Sequence, residues 1–343
     1  MGQADRPFDF RPASDCIVSS LSNHARNHGL RLADPMVYGL GEGYFFWYAD
    51  IDPVASPPVL IGKNVFMEHS FFDNIGAQFT VHEPLAAEDV EASYDHMRLG
   101  NPTIIKADPF YFKYIDWGEH GGKPLHFGEH VCVVTHVDGE TAYMADVFKD
   151  EIVSIPLQDL RSARSSTEGI SSMLPRNRWY EIEYGTADFD LGEAARKALQ
   201  NIMSHMLDSN GDFGLSGIRK ASQTHPIRLQ EYLADDPQMF IYACNSAAGR
   251  MLEGYCGAFN RGMFSRFLAM SSVVLDRPTL SNPVLESKAQ TAWRELAHLI
   301  LNKSALVSEG EDAGDFGEIA ETYERAIWCE EDLCDSIASV IIS

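Results

Sequence analysis

The strongest constraint on this chain is the stretch from Leu125 to Val147. Two apolar, β-branched runs flank the turn pair Asp138-Gly139, a pattern that predicts a β-hairpin. His130 opens the first run and Asp146 closes the second. Antiparallel pairing sets the start of one strand beside the end of the next, so a histidine and an aspartate are expected side by side at one end of a sheet. A base held by a carboxylate is two thirds of a nucleophilic site. The third member should be a Ser or Cys distant in sequence, and Cys16 is the strongest candidate.

The segment from Pro12 to Gly29 has the pattern of a buried helix. Ser14 or Asp15 can cap it, Cys16, Ile17, Leu21 and Ala25 recur near helical spacing, and Gly29 suits the position after its end. Cys16 would then stand in the first turn, where helix N–H groups and the macrodipole favour a thiolate. The competing reading is a small, inert core residue; the His130/Asp146 hairpin tips the balance towards chemistry.

The chain is 343 residues long, enough for one large or two ordinary domains, and its 45% hydrophobic content suits a globular protein. No apolar run approaches the roughly 18 residues of a membrane span, and the polar start does not read as a secretory signal. These features lead to the expectation of a cytoplasmic protein whose six cysteines are reduced. They form no zinc spacing, and His126 and His130 lack an evident third ligand, so neither a metal nor another cofactor is expected. A net charge of −23 argues against nucleic acid and anionic membranes. It suits solubility, or a basic partner such as a polyamine or aminosugar.

Along the chain, Asp34 to Tyr48 predicts a short helical turn, a glycine-rich loop and a strand. Gly41, Glu42, Gly43 and Tyr44 read either as a strand entering a core or as a loop passing close to a substrate, walled by aromatics. Strands are expected over 59–66, 78–82, 102–107, 151–155 and 178–184, and helices over 67–72, 85–99 and 157–163. Phe110 to Trp117 reads as an aromatic loop, and Gly118 to Gly122 as a mobile one. From Leu191 onward the pattern is helical, with candidates at 192–207, 215–223, 237–258, 263–275, 285–302 and 317–342. The expected architecture is α+β: a catalytic domain over 1–185 with a mainly antiparallel sheet, and an all-helical domain over 186–343 serving as a lid or in oligomerisation.

The order of Cys on an early helix, His at a strand start and Asp at the end of the next strand is papain-like. The first half resembles the butirosin biosynthesis BtrH N-terminal family, through Asp15-Cys16, the Gly39 to Phe45 loop, Pro102 to Ile105 ending at Asp108, and Phe127 to Val134. Gly214, Gly217, Ile218, Arg219 and the run Arg261 to Leu268 resemble the helical domain of unknown function that often follows it. The resemblance implies a papain-like fold and an acyltransferase of secondary metabolism. Such an enzyme would move an aminoacyl or peptidyl group from the phosphopantetheine thioester of an acyl carrier protein to a small amine. Cys16 would be the nucleophile, His130 the base and acid, and Asp146 the orienter, with Gly41, Glu42, Gly43, Tyr44 and Asp108 at the substrate. The sequence departs from the family pattern around the nucleophile, and a papain-like glutamine donor upstream is absent; Arg11 is the only long donor there. The alternatives are a cysteine peptidase or amidase with the same triad, and a non-catalytic papain-like binding protein.

Overall fold

The computed structural model describes residues 7–50, 57–116, 126–168, 173–185, 189–207, 210–252 and 258–342. The chain divides into two compact units: Met1–Val37 with Gly76–Phe189, and Tyr38–Ile75 with Asp190–Ser343.

The first unit is built on a six-stranded antiparallel sheet in the order β3-β8-β4-β5-β6-β7. Its strands are β3 (Gln78–His82), β4 (Thr103–Ala107), β5 (His130–Asp138), β6 (Thr141–Ala145), β7 (Val153–Pro156) and β8 (Trp179–Glu183). Helix α1 (Cys16–Asn27) packs on β4 and β5. It starts at Cys16, capped by Asp15, one of the two caps the sequence offered: Asp15 is extended and its carboxylate accepts the N–H groups of Ile17 (2.9 Å) and Val18 (3.1 Å). It ends where expected, with Gly29 at φ +94°, a conformation glycine adopts at little cost. Ile105, Ala107, Cys132 and Val134 share one sheet face with the apolar side chains of α4 (Ala87–Arg98) and α5 (Leu157–Ser165), among them Tyr94, Met97, Leu157 and Leu160. Burial of each large side chain there contributes about 1.5–3 kcal/mol.

The second unit holds the antiparallel pair β1 (Tyr44–Ala49) and β2 (Val59–Lys63), helix α3 (Met67–Ile75), and the helices α6 (Leu191–Leu207), α7 (Gly214–Asp235), α8 (Pro237–Leu252), α9 (Arg261–Val274), α10 (Pro283–Ser308) and α11 (Gly317–Ile342). The short helix α2 (Asp34–Leu40) crosses the division between the units. Helix α7 runs well past Gln223, where the sequence reading stopped it. Pro226 removes one backbone donor, but Ile218, Ala221, Ser222, His225, Leu229 and Tyr232 continue a buried face across it, and that packing outweighs the lost bond. At this unit's centre the enclosed Glu330 accepts from Arg261 Nε (2.8 Å), Trp293 Nε1 (2.5 Å) and the Tyr44 hydroxyl.

The single boundary expected at 185/186 is therefore replaced by a two-segment division. Tyr38–Ile75 clusters with the helices of the second half, because the apolar side chains of β1 and β2 are covered there. Phe46, for example, stacks on Trp293 at 5.5 Å. Among the described residues no helix is long and apolar enough to cross a membrane.

Candidate active site

The site sits at one end of the first unit's sheet, where β4 ends, β5 begins and β6 ends. Ala107 and His130 are cross-strand partners there. His130 is 3% exposed and Asp146 1%. The imidazole Nε2 donates to Asp146 Oδ2 at 2.9 Å. That leaves Nδ1 turned from the carboxylate, and the Cys16 thiol is near enough to the ring to add to the rise in its pKa. The structure thus brings together the three residues that the sequence put in the triad, all within the first unit.

A β-bulge makes this possible. Near the turn, Asp138 pairs with Thr141 and His136 with Tyr143, but beyond Thr135 the register shifts, so that Val134 pairs with Met144 and Val133 with Ala145. Continued without the shift, the register would place Asp146 opposite Val133, on the sheet face away from His130. With the extra residue, Asp146 falls opposite Cys132, which shares its face with His130.

The electrostatics follow from burial and pairing. Burial alone would lower the His130 pKa. The charge and hydrogen bond of Asp146, with the contact to Cys16, outweigh it and raise the value from 6.5 to about 10. Burial would raise Asp146, but His130, the Tyr114 hydroxyl (2.5 Å) and the Phe148 N–H (3.2 Å) hold it below the usual carboxylate value. Tyr114 is a member of the site that sequence reasoning missed. It lies in the stretch read only as an aromatic loop, and nothing in residue spacing marks its hydroxyl as a partner of Asp146.

Cys132 is the other sulfur nearby. Its thiolate-forming equilibrium is pushed well above the usual range, by burial first and then by the negative charges of Asp146 and Cys16. A fully buried thiol in that state is a packing residue, whereas Cys16 is only half-buried. His130, Cys132 and Asp146 have ligand atoms within 4.8 Å of one another. This is a different trio from the His126/His130 pair considered from sequence. As a metal set it fits poorly, because the imidazole and carboxylate are given to each other and the thiol is held protonated.

The residues expected at the substrate divide. Gly41, Glu42, Gly43 and Tyr44 lie in the second unit, apart from the triad's unit. Tyr44 is corrected to a core residue: its ring is fully enclosed and its hydroxyl is held by Glu330. Gly43 is required by a close approach, since a Cβ would stand 2.4 Å from the Tyr38 ring. Gly41 offers its carbonyl to Asn64 Nδ2 at 3.3 Å. Glu42 adopts φ +55°, and its Oε1 accepts from Asn74 (3.0 Å) and Asn201 (2.7 Å). Asp108 is in the triad's unit but fully buried, so its carboxylate meets other protein groups rather than a ligand. Arg11 is exposed and turned to Asp9 at 3.7 Å. The glycine loop 118–122 lies outside the described residues.

A cysteine at a helix start, a histidine opening a strand and an aspartate closing the next, on an antiparallel sheet, define a papain-like arrangement. The chain belongs to the family of the domain of unknown function DUF4872, preceded here by a butirosin biosynthesis protein H N-terminal domain. The model described as "Butirosin biosynthesis protein H, N-terminal" matches residues 15–147, and "Domain of unknown function (DUF4872)" matches 158–337, more than half of the chain. The first match begins one residue before Cys16 and ends one after Asp146. Family and site together are consistent with a cysteine enzyme of biosynthetic acyltransferase type. No curated protein matches the chain.

Proposed function

We propose that this protein is a cysteine acyltransferase that takes an aminoacyl, peptidyl or other acyl group from a carrier-protein phosphopantetheine thioester and gives it to a small amine. The observation that carries the reading is the half-buried Cys16 thiol against a His130 imidazole anchored by Asp146, inside the family's matched segment. In the first half-reaction the Cys16 sulfur attacks the thioester carbonyl. A new S–C bond forms, the carrier's S–C bond breaks, and the departing thiol takes the His130 proton. Exchange between similar thiols is nearly isoenergetic, so little free energy is lost in the transfer. In the second half-reaction the amine nitrogen bonds to the carbonyl carbon, the Cys16 S–C bond breaks, and His130 receives a proton from that nitrogen.

An oxyanion needs donors. Ile17 and Val18 already give their N–H groups to Asp15, so the first turn contributes the Cys16 N–H itself.

The test is intact-protein mass spectrometry with a panel of acyl thioesters and amines. The expected result is an acyl adduct on Cys16 that persists in water and is discharged to an amide by an amine. Cys16→Ser abolishes it, and Cys132→Ala leaves it. Rapid loss to water that no amine diverts would favour a peptidase or amidase with the same triad. An adduct that survives Cys16→Ser would remove Cys16 from its role.

A further inference from the structure

A second histidine–carboxylate pair stands at the same end of the sheet. Asp108 follows β4 directly, and its fully buried carboxylate accepts four hydrogen bonds: Oδ1 from the Phe110 N–H (3.1 Å) and Phe127 N–H (3.2 Å), Oδ2 from His126 Nδ1 and the Ser166 hydroxyl (both 2.7 Å). Nδ1 thus carries the hydrogen in the neutral ring, and the Nε2 lone pair is turned away from the carboxylate. The ring stacks on Phe110 at 3.9 Å and meets Tyr111 edge-on at 6.2 Å. His126 is 29% exposed at its side chain against 4% for His130. The two are tied by the backbone, since the His130 N–H donates to the Phe127 carbonyl at 3.4 Å and Ala107, the residue before Asp108, pairs with His130. One pair is sealed beside the sulfur; the other presents a fixed, solvent-reachable base.

Proton accounting gives the second pair a task, on the acyl-transfer reading above. An alkylamine is an ammonium at neutral pH, as the lysine value of about 10.4 illustrates. It must lose one proton to become a nucleophile and another when the C–N bond forms. His130, having protonated the departing carrier thiol, accepts only one. We propose that His126, oriented by Asp108, is the base that takes the first proton from the acceptor's ammonium and releases it to solvent, leaving the second to His130. The balance closes: thioester plus ammonium gives amide, free thiol and one proton in water. Among the described residues, His126 meets Asp108, Phe110 and Tyr111, and the Ser166 hydroxyl shares the Asp108 oxygen that it bonds.

The experiment uses the full chain and separates the half-reactions. The variant is His126→Asn, whose amide can still donate to Asp108, with His126→Gln as the second should the first not fold. The acyl-Cys16 adduct is formed with a simple acyl thioester, then discharged by a primary alkylamine or by hydroxylamine, which is already neutral at pH 7. Adduct formation should match the wild type. Alkylamine discharge at pH 7 should fall by about 10²-fold, the low end of general-base effects. That deficit should shrink as rising pH frees the amine, while hydroxylamine discharge stays unchanged. Equal losses with both amines, a pH-independent loss, or no loss would overturn the role of His126 while leaving acyl transfer standing. Absence of any adduct in the wild type would sink the acyl-transfer reading, and this inference with it.

Discussion

Asp146 is held by three donors, the His130 ring, the Tyr114 hydroxyl and the Phe148 N–H, and a buried carboxylate so satisfied keeps its charge. That charge keeps His130 protonated to about pH 10 rather than 6.5. Linkage fixes the sign. The raised histidine contributes stability that is complete below about 6.5, falls as pH rises, and is gone above about 10. The depressed aspartate contributes above its ordinary value of 3.8 and loses this as pH falls through its lower folded value. Asp146→Asn should therefore flatten the alkaline decline of stability between pH 6.5 and 10, read by urea unfolding at several pH values. It should also slow Cys16 acylation by orders of magnitude, about 10⁴ in comparable triads, and bring the alkaline limb of the rate down from near pH 10. An unchanged limb would mean that Asp146 does not hold the histidine's proton. The identities of Cys16, His130 and Asp146 were legible because each sits at the start or end of a patterned element. Tyr114 was not, since a loop hydroxyl finds its partner only through the fold.

The β5–β6 hairpin shows how far strand pattern reaches. Asp138-Gly139 named the turn, and the two apolar runs named the strands. The register did not follow from them, because alternation in β5 and β6 is equally compatible with a straight ladder, and a straight ladder puts Asp146 on the wrong face. The shift beside Thr135 decides it, and Thr135 carries no glycine or proline to announce a bulge. Its hydroxyl bonds the Tyr143 carbonyl at 3.2 Å, which anchors the irregularity. Deleting Thr135 should remove the unpaired residue and leave a straight ladder in which His136 still faces Tyr143 and Val134 still faces Met144, so Asp146 stays opposite Cys132 on the face of His130. The expected outcome is near-native sheet content by circular dichroism with Cys16 acylation kept. Loss of acylation with sheet content intact would show that pairing register alone does not set the dyad.

The assignment of the segment Tyr38–Ile75 was the part of the architecture least visible in sequence. A chain scanned in order shows strands until about Gly185 and helices after it, so a single boundary is the natural reading. What moves the segment is the destination of its side chains. The Tyr44 hydroxyl finds Glu330 286 positions away, its ring stacks on Phe264 at 4.0 Å, and Phe46 stacks on Trp293 at 5.5 Å. An aromatic strand carries no sequence mark for which core it enters. A consequence follows for a chain ended at residue 185. It keeps Tyr38–Ile75 but lacks the helices that cover it, so Tyr44, Phe46, Tyr48 and Leu60, all fully buried in the intact protein, turn to water at about 1.5–3 kcal/mol each. Such a fragment should bind a hydrophobic dye and self-associate on size-exclusion chromatography. Replacing residues 38–75 with a flexible Gly/Ser linker in the same fragment should remove both behaviours, because the sheet, α1 and the Cys16–His130–Asp146 group lie in the first unit. The linker fragment should also retain preferential alkylation of Cys16 over Cys132, which reports that the histidine is still in place. A well-behaved 1–185 fragment with cooperative unfolding and no dye binding would show that Tyr38–Ile75 folds with the first unit after all.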